Sequence, residues 1–111
     1  MIQPMAENSV PDASADATAP LVLALAGEVD LVQSDKILDR ADELLRTAIA
    51  GQRLALDLSR VRFIDSSGLG GLLRLRRLAE QRGVSVFLRG VPEPIAGLLR
   101  VSGLEQVLPT E

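Results

Sequence analysis

The chain has 111 residues and a net charge of −3, which allows one small domain and argues against a dedicated nucleic-acid binder. Nearly half the residues are apolar (47%) but only Phe63 and Phe87 are aromatic, so the core has to be aliphatic. There is no Cys and no His, which excludes disulfides, zinc–thiolate sites and any Ser-His-Asp arrangement within one chain.

Residues 1–19 are rich in Ala, Pro, Asp and Ser and read as a flexible N-terminal tail, in which residues 2–10 offer a short edge strand. Leu21 to Ala26 is a short apolar run ending at Gly27, which reads as a buried strand. Gly27-Glu28-Val29-Asp30 follows as a turn or strand end. Ser34 or Asp35 is placed to cap a helix over about residues 35–50, whose apolar residues recur at spacings of three and four. Gly51 stops it, and Arg53 to Leu58 form the next strand. A second helix is expected over Ser66 to Arg82, with Asp65 as its cap and Gly83 as its stop. Val84 to Leu88 is a strand. Pro92 and Pro94 open a third helix that continues through Ile95 to Val101 and ends at Gly103. Glu105 to Leu108 reads as a last short strand. Alternation of this kind predicts an α/β layer fold.

Phe63-Ile64-Asp65-Ser66-Ser67-Gly68-Leu69-Gly70 lies where a strand gives way to the second helix. The first amides of a helix have no intrahelical partner, and the helix dipole also favours negative charge there. The segment therefore suits a phosphate, either placed or received. On a helical wheel, Gly68, Leu72, Leu75 and Ala79 share a face within about 60° and should meet the sheet, flanked by Gly71 and Leu78. Glycine at 68 and 71 would permit a close approach. Ser66, Leu69 and Leu73 share another face, with Arg76, Arg77 and Glu80 near it. Two leucines not needed by the core, beside a terminal hydroxyl, read as a docking surface. The other reading packs Leu69 and Leu73 under a neighbouring helix and leaves the serines as caps.

Charge is uneven: residues 1–57 carry 10 acidic and 4 basic side chains, residues 58–111 carry 5 and 8. Such asymmetry can steer a partner, although a solvated surface explains it too. No apolar run approaches the ~20 residues that span a bilayer, and no signal-peptide pattern opens the chain, so a soluble, cytoplasmic protein is expected. There is no Walker pattern, and Asp57 and Asp65 read as a strand-end polar group and a cap rather than a catalytic pair. Arg74, Arg76 and Arg77 read as a solvated helix face rather than a nucleic-acid contact.

Asp65-Ser66-Ser67-Gly68-Leu69-Gly70 resembles the phosphorylation loop of bacterial anti-sigma factor antagonists (anti-anti-sigma factors), members of the STAS domain family. Gly27-Glu28-Val29-Asp30, Leu56-Asp57-Leu58 before Phe63-Ile64-Asp65, and Val101-Ser102-Gly103-Leu104 are similar to further family motifs, in order and at the expected spacing over about residues 20–109. The resemblance implies a STAS-like single domain over residues 20–111, with helices packed on a mixed sheet of about four to five strands. It implies phosphorylation at Ser66, with Asp65, Ser67 and Gly68 supporting the loop. Partner contacts are expected at Leu69, Gly70, Leu73, Arg77, Glu28 and Asp30. The implied protein is no enzyme and needs no cofactor or metal. Its implied partners are an anti-sigma factor that is also a serine kinase, and a metal-dependent phosphatase, with no nucleic acid and no membrane. Binding would release a sigma factor, regulating transcription as in a stress response, and phosphorylation would end the binding. The alternative is an accessory subunit of a lipid or anion transport system, where STAS domains also serve.

Overall fold

The computed structural model describes residues 19–111. The expected N-terminal tail and edge strand lie outside the described residues. The described elements are β1 (Leu21–Val29), α1 (Leu31–Leu45), β2 (Arg53–Ile64), α2 (Ser66–Glu80), β3 (Ser85–Arg89), α3 (Glu93–Ser102) and a 3-10 turn (Leu104–Gln106).

Among the described residues the sheet has three strands, in the order β1-β2-β3, and both pairings are parallel. This corrects the expectation of a mixed sheet of four to five strands. Each strand is followed by a helix that carries the chain back, so successive strands enter in the same direction. The last strand, expected at Glu105 to Leu108, is also corrected. Gly103 takes a left-handed φ of 75°, which ends α3 and turns the chain into the 3-10 turn. The Leu108 N–H then bonds the Leu104 carbonyl at 2.8 Å. Sheet contact comes only afterwards, as a single parallel bridge between Leu88 and Thr110.

β1 alternates with period two: Leu23, Leu25 and Val29 are buried, while Val22, Ala24, Ala26 and Glu28 are exposed. It pairs with the longer β2 through two register shifts, one between Ala24 and Ala26 and one between Gly27 and Glu28. Gly27 has φ 74° at the second irregularity. Its lack of a Cβ makes that conformation accessible, and the strand continues to Val29 rather than ending at Ala26.

α1 begins four residues earlier than predicted. Its cap is Asp30, whose carboxylate accepts the Gln33 N–H at 2.9 Å. Ser34 is no cap. It is 1% exposed inside the helix, and its hydroxyl bonds the Asp30 carbonyl at 2.7 Å. The helix ends at Leu45, where Thr47 Oγ1 donates to the Leu44 carbonyl, rather than running to residue 50. α2 starts where expected, behind Asp65, and α3 starts behind Pro92.

Helices α1 and α2 pack against each other, α1 over β1 and α2 over all three strands. The core is aliphatic and continuous. Ile37, Ala41 and Leu45 of α1 and Leu72, Leu75 and Ala79 of α2 close on Leu25, Leu54, Leu56, Leu58, Val86 and Leu88. Burying a side chain of this kind contributes roughly 1.5–3 kcal/mol, which explains why such a short helix pair holds its place on the sheet.

Candidate functional site

The carboxyl ends of β1 and β2 lie level, with Val29 opposite Ile64. The next residue in each case is an aspartate that caps a helix. The Asp30 side chain receives the Gln33 N–H, and the Asp65 side chain receives the Gly68 N–H at 2.8 Å. Two helix N-termini therefore open at the same sheet edge, where amide groups and helix dipoles favour negative charge.

Ser66 is the first residue of α2 and is exposed. Because Asp65 already supplies the cap, the Ser66 hydroxyl is not needed for it. Ser67 is half-buried and turned toward α1; its carbonyl lies 3.4 Å from the Ser34 hydroxyl. The two serines thus differ in surroundings, as one 100° step around a helix predicts.

The glycines set this geometry. A Cβ on Gly68 would collide with the Val29 carbonyl oxygen and stand 2.8 Å from Ile64 Cγ1. A Cβ on Gly71 would stand 2.5 Å from Ser34 Oγ and 2.7 Å from Ser34 Cβ. Gly68 lets α2 sit on the strand ends as expected. Gly71 meets α1 instead of the strands, and the small buried Ser34 fills the space.

The pair of exposed leucines needs correction. Leu69 is only 9% exposed and belongs to the core, and Leu73 is half-buried and packed against it. The outer ridge of α2 is instead Ser66, Gly70, Leu73, Arg74 and Arg77, with both arginines exposed. Gly70 is open: beyond the adjoining helix backbone and its two neighbours, a Cβ built there meets only Arg74 Nη1, at 3.9 Å, among the described residues. Glu28 and Asp30 lie on the β1 side of the same edge. With Ala26, Gln33 and Arg62 they line an open, polar groove of about 410 Å³. Arg62 was not anticipated there.

Sequence reading also missed three apolar side chains at this edge. Leu31 and Val32, the first two residues of α1, are 59% and 62% exposed, and Phe63 is 54% exposed. Starting α1 at residue 35 concealed the first two. Alternation gave no signal for Phe63, because β2 breaks the period of two there: Val61 and Ile64 are buried and both residues between them are exposed. Asp57 is engaged away from Asp65. The Ser59 N–H bonds its carboxylate at 2.9 Å and is the main reason its pKa is lowered, with the Ser59 hydroxyl, Arg89 and Arg60 adding to the effect.

An exposed serine at a helix start, level with a second helix start and bordered by a charged groove and apolar side chains, defines the candidate site of a small α/β domain. The chain belongs to the STAS domain family: the family model described as "Mlab, STAS domain" matches residues 13–109. It is 34% identical to an anti-sigma F factor antagonist of Paenibacillus polymyxa, over 80% of this chain and 75% of that protein. It is 38% identical to the intermembrane phospholipid transport system binding protein MlaB of Escherichia coli K12, over 78% of this chain and 86% of that protein. The fold matches a sulfate transporter family protein from Wolinella succinogenes, at 25% identity and TM-score 0.61, over 88% of this chain and 80% of the other. It also matches phosphorylated SpoIIAA from Bacillus, at 23% identity and TM-score 0.59, over 81% and 80% of the two chains. No helix among the described residues is long and apolar enough to cross a membrane.

Proposed function

We propose that this chain is an anti-sigma factor antagonist: a binding module, not an enzyme, that captures an anti-sigma factor and is switched off by phosphorylation of Ser66. The observation that carries this reading is the exposed Ser66 directly behind its Asp65 cap, in a chain 34% identical to an anti-sigma F factor antagonist. The partner would meet the ridge of Ser66, Gly70, Leu73 and Arg77 and the neighbouring Glu28 and Asp30. Leu31, Val32 and Phe63 supply exposed apolar area at the same edge. Leu69 supports the ridge from beneath.

The partner's kinase activity would move the γ-phosphoryl group of ATP onto Ser66 Oγ. The new O–P bond replaces the bond to ADP, and the hydroxyl proton is released. The product carries about −1.5 to −2 charge where a helix start tolerates it. A partner covering Ser66 would then have to desolvate that charge, which opposes binding without any change of fold. A metal-dependent phosphatase would restore the hydroxyl.

A second reading, an accessory subunit of a lipid transport complex, draws support from the 38% identity to MlaB and from the description of the matching family model. One experiment separates the two. The chain is incubated with its cognate anti-sigma kinase and Mg·ATP, the phosphate is mapped by mass spectrometry, and binding is measured before and after. The expected result is phosphate on Ser66 with loss of binding, while Ser66→Ala binds and stays unmodified. Phosphate on another residue would sink the site. Co-purification with a membrane ATPase, and no kinase binding, would favour the second reading.

A further inference from the structure

Arg76 is paired with Glu80 at 3.0 Å, and Arg82 with Asp42 at 2.6 Å. Arg74, between Ser66 and Arg76 in the sequence, makes no ion pair among the described residues. Its side chain is folded back toward the start of α2. Nη1 lies over Gly70, and apart from the adjoining helix backbone and the two neighbouring residues no other described atom comes within 4 Å of that glycine's Cβ position. Gly70 is one helical turn, about 6 Å, from Ser66, and Ser66, Gly70 and Arg74 follow one another around the helix within about 80°. A cation is thus held a turn away from the exposed hydroxyl, along a ridge that Gly70 leaves clear.

We propose that Arg74 is the residue that reads phosphorylation of Ser66. Its guanidinium, already over Gly70, pairs with the phosphate on its own chain. This rests on Ser66 as the modified residue. An arginine offers forked donors that match phosphate oxygens, so the pair is directional as well as electrostatic. Fixed there by that pair, it keeps covered the one position of the ridge without a side chain, and a partner seated on the ridge has to displace it. Phosphorylation then locks the cover of the contact edge as well as changing its charge.

The test installs phosphoserine at position 66 during translation, so it needs no kinase. The phosphate is titrated by ³¹P NMR in the wild-type background, in Arg74→Gln and in Arg77→Gln. A positive charge at this range should lower the second phosphate pKa by about half a unit relative to a phosphoserine peptide. Arg74→Gln should remove the arginine's share of that lowering and leave the share that the helix start supplies, and Arg77→Gln, a turn further on, should retain most of it. Identical titrations in the wild type and Arg74→Gln would overturn the proposal, as would an equal effect of Arg77→Gln. If a kinase fails to label Ser66, the functional reading is lost, but the titration still reports on the Arg74–phosphate contact.

Discussion

At the scale of single residues, the site is governed by what glycine leaves out. Gly68 touches backbone, because a Cβ there would run into the Val29 carbonyl, and a backbone oxygen cannot swing aside. Gly68→Ala should therefore push α2 off the strand ends and cost about 1–3 kcal/mol, read from denaturant unfolding. A stability equal to that of the native chain would show that α2 does not sit so close. Gly70 is the contrasting case, since its Cβ position is open. Gly70→Gln should leave stability unchanged or raise it by about 0.5–1 kcal/mol, through the better helix propensity. It should still weaken anti-sigma factor binding at least about tenfold, measured by calorimetry. Undiminished affinity would move the contact surface away from this ridge. Leu73→Glu is a poorer probe than the helical wheel suggested, because Leu73 packs against the core and its loss confounds folding with binding.

At the scale of elements, the two helices that frame the site touch at one end and are hydrogen-bonded at the other. Near their N-termini the buried Ser34 hydroxyl reaches the Ser67 carbonyl. Near their C-termini Asp42 on α1 accepts a hydrogen bond from Arg82, just past α2, and another from Arg46. The Arg82 hydrogen bond is the largest influence on Asp42 and, with Arg46, holds its pKa below the usual aspartate range. A carboxylate with a depressed folded-state pKa stabilises the fold above its unfolded pKa, and that contribution disappears as pH falls through the folded value. Asp42→Asn should accordingly lower Tm at neutral pH, with the difference from wild type closing as pH drops below the normal aspartate range. A difference that persists at pH 2 would assign the effect to packing. Each side chain of the Asp42–Arg82 pair is about a third exposed, so the shift should be small and should shrink in high salt.

At the scale of the whole molecule, function follows from a parallel arrangement that brings two cap motifs to one edge. Asp30 and Asp65 are 35 positions apart in sequence, yet each directly follows one of the paired residues Val29 and Ile64. Much of this was legible in the chain itself. Apolar spacing marked α2 and its core face, Asp65 announced its cap, and the ordered motifs pointed to the STAS family and to Ser66. Local chemistry suffices for these, because capping and helical periodicity act over three or four residues. The start of α1 was misjudged because Ser34 and Asp30 are both good cap residues. Ser34 was removed from that role by burial against Gly71, a contact made across the fold. The burial of Leu69, the exposure of Phe63 and the parallel sheet depend in the same way on which elements end up as neighbours. The sequence by itself determined the serine at the start of α2 and its aspartate cap. Only the tertiary structure decided which side chains stand around that serine, because burial is a property of packed surfaces that no segment carries alone.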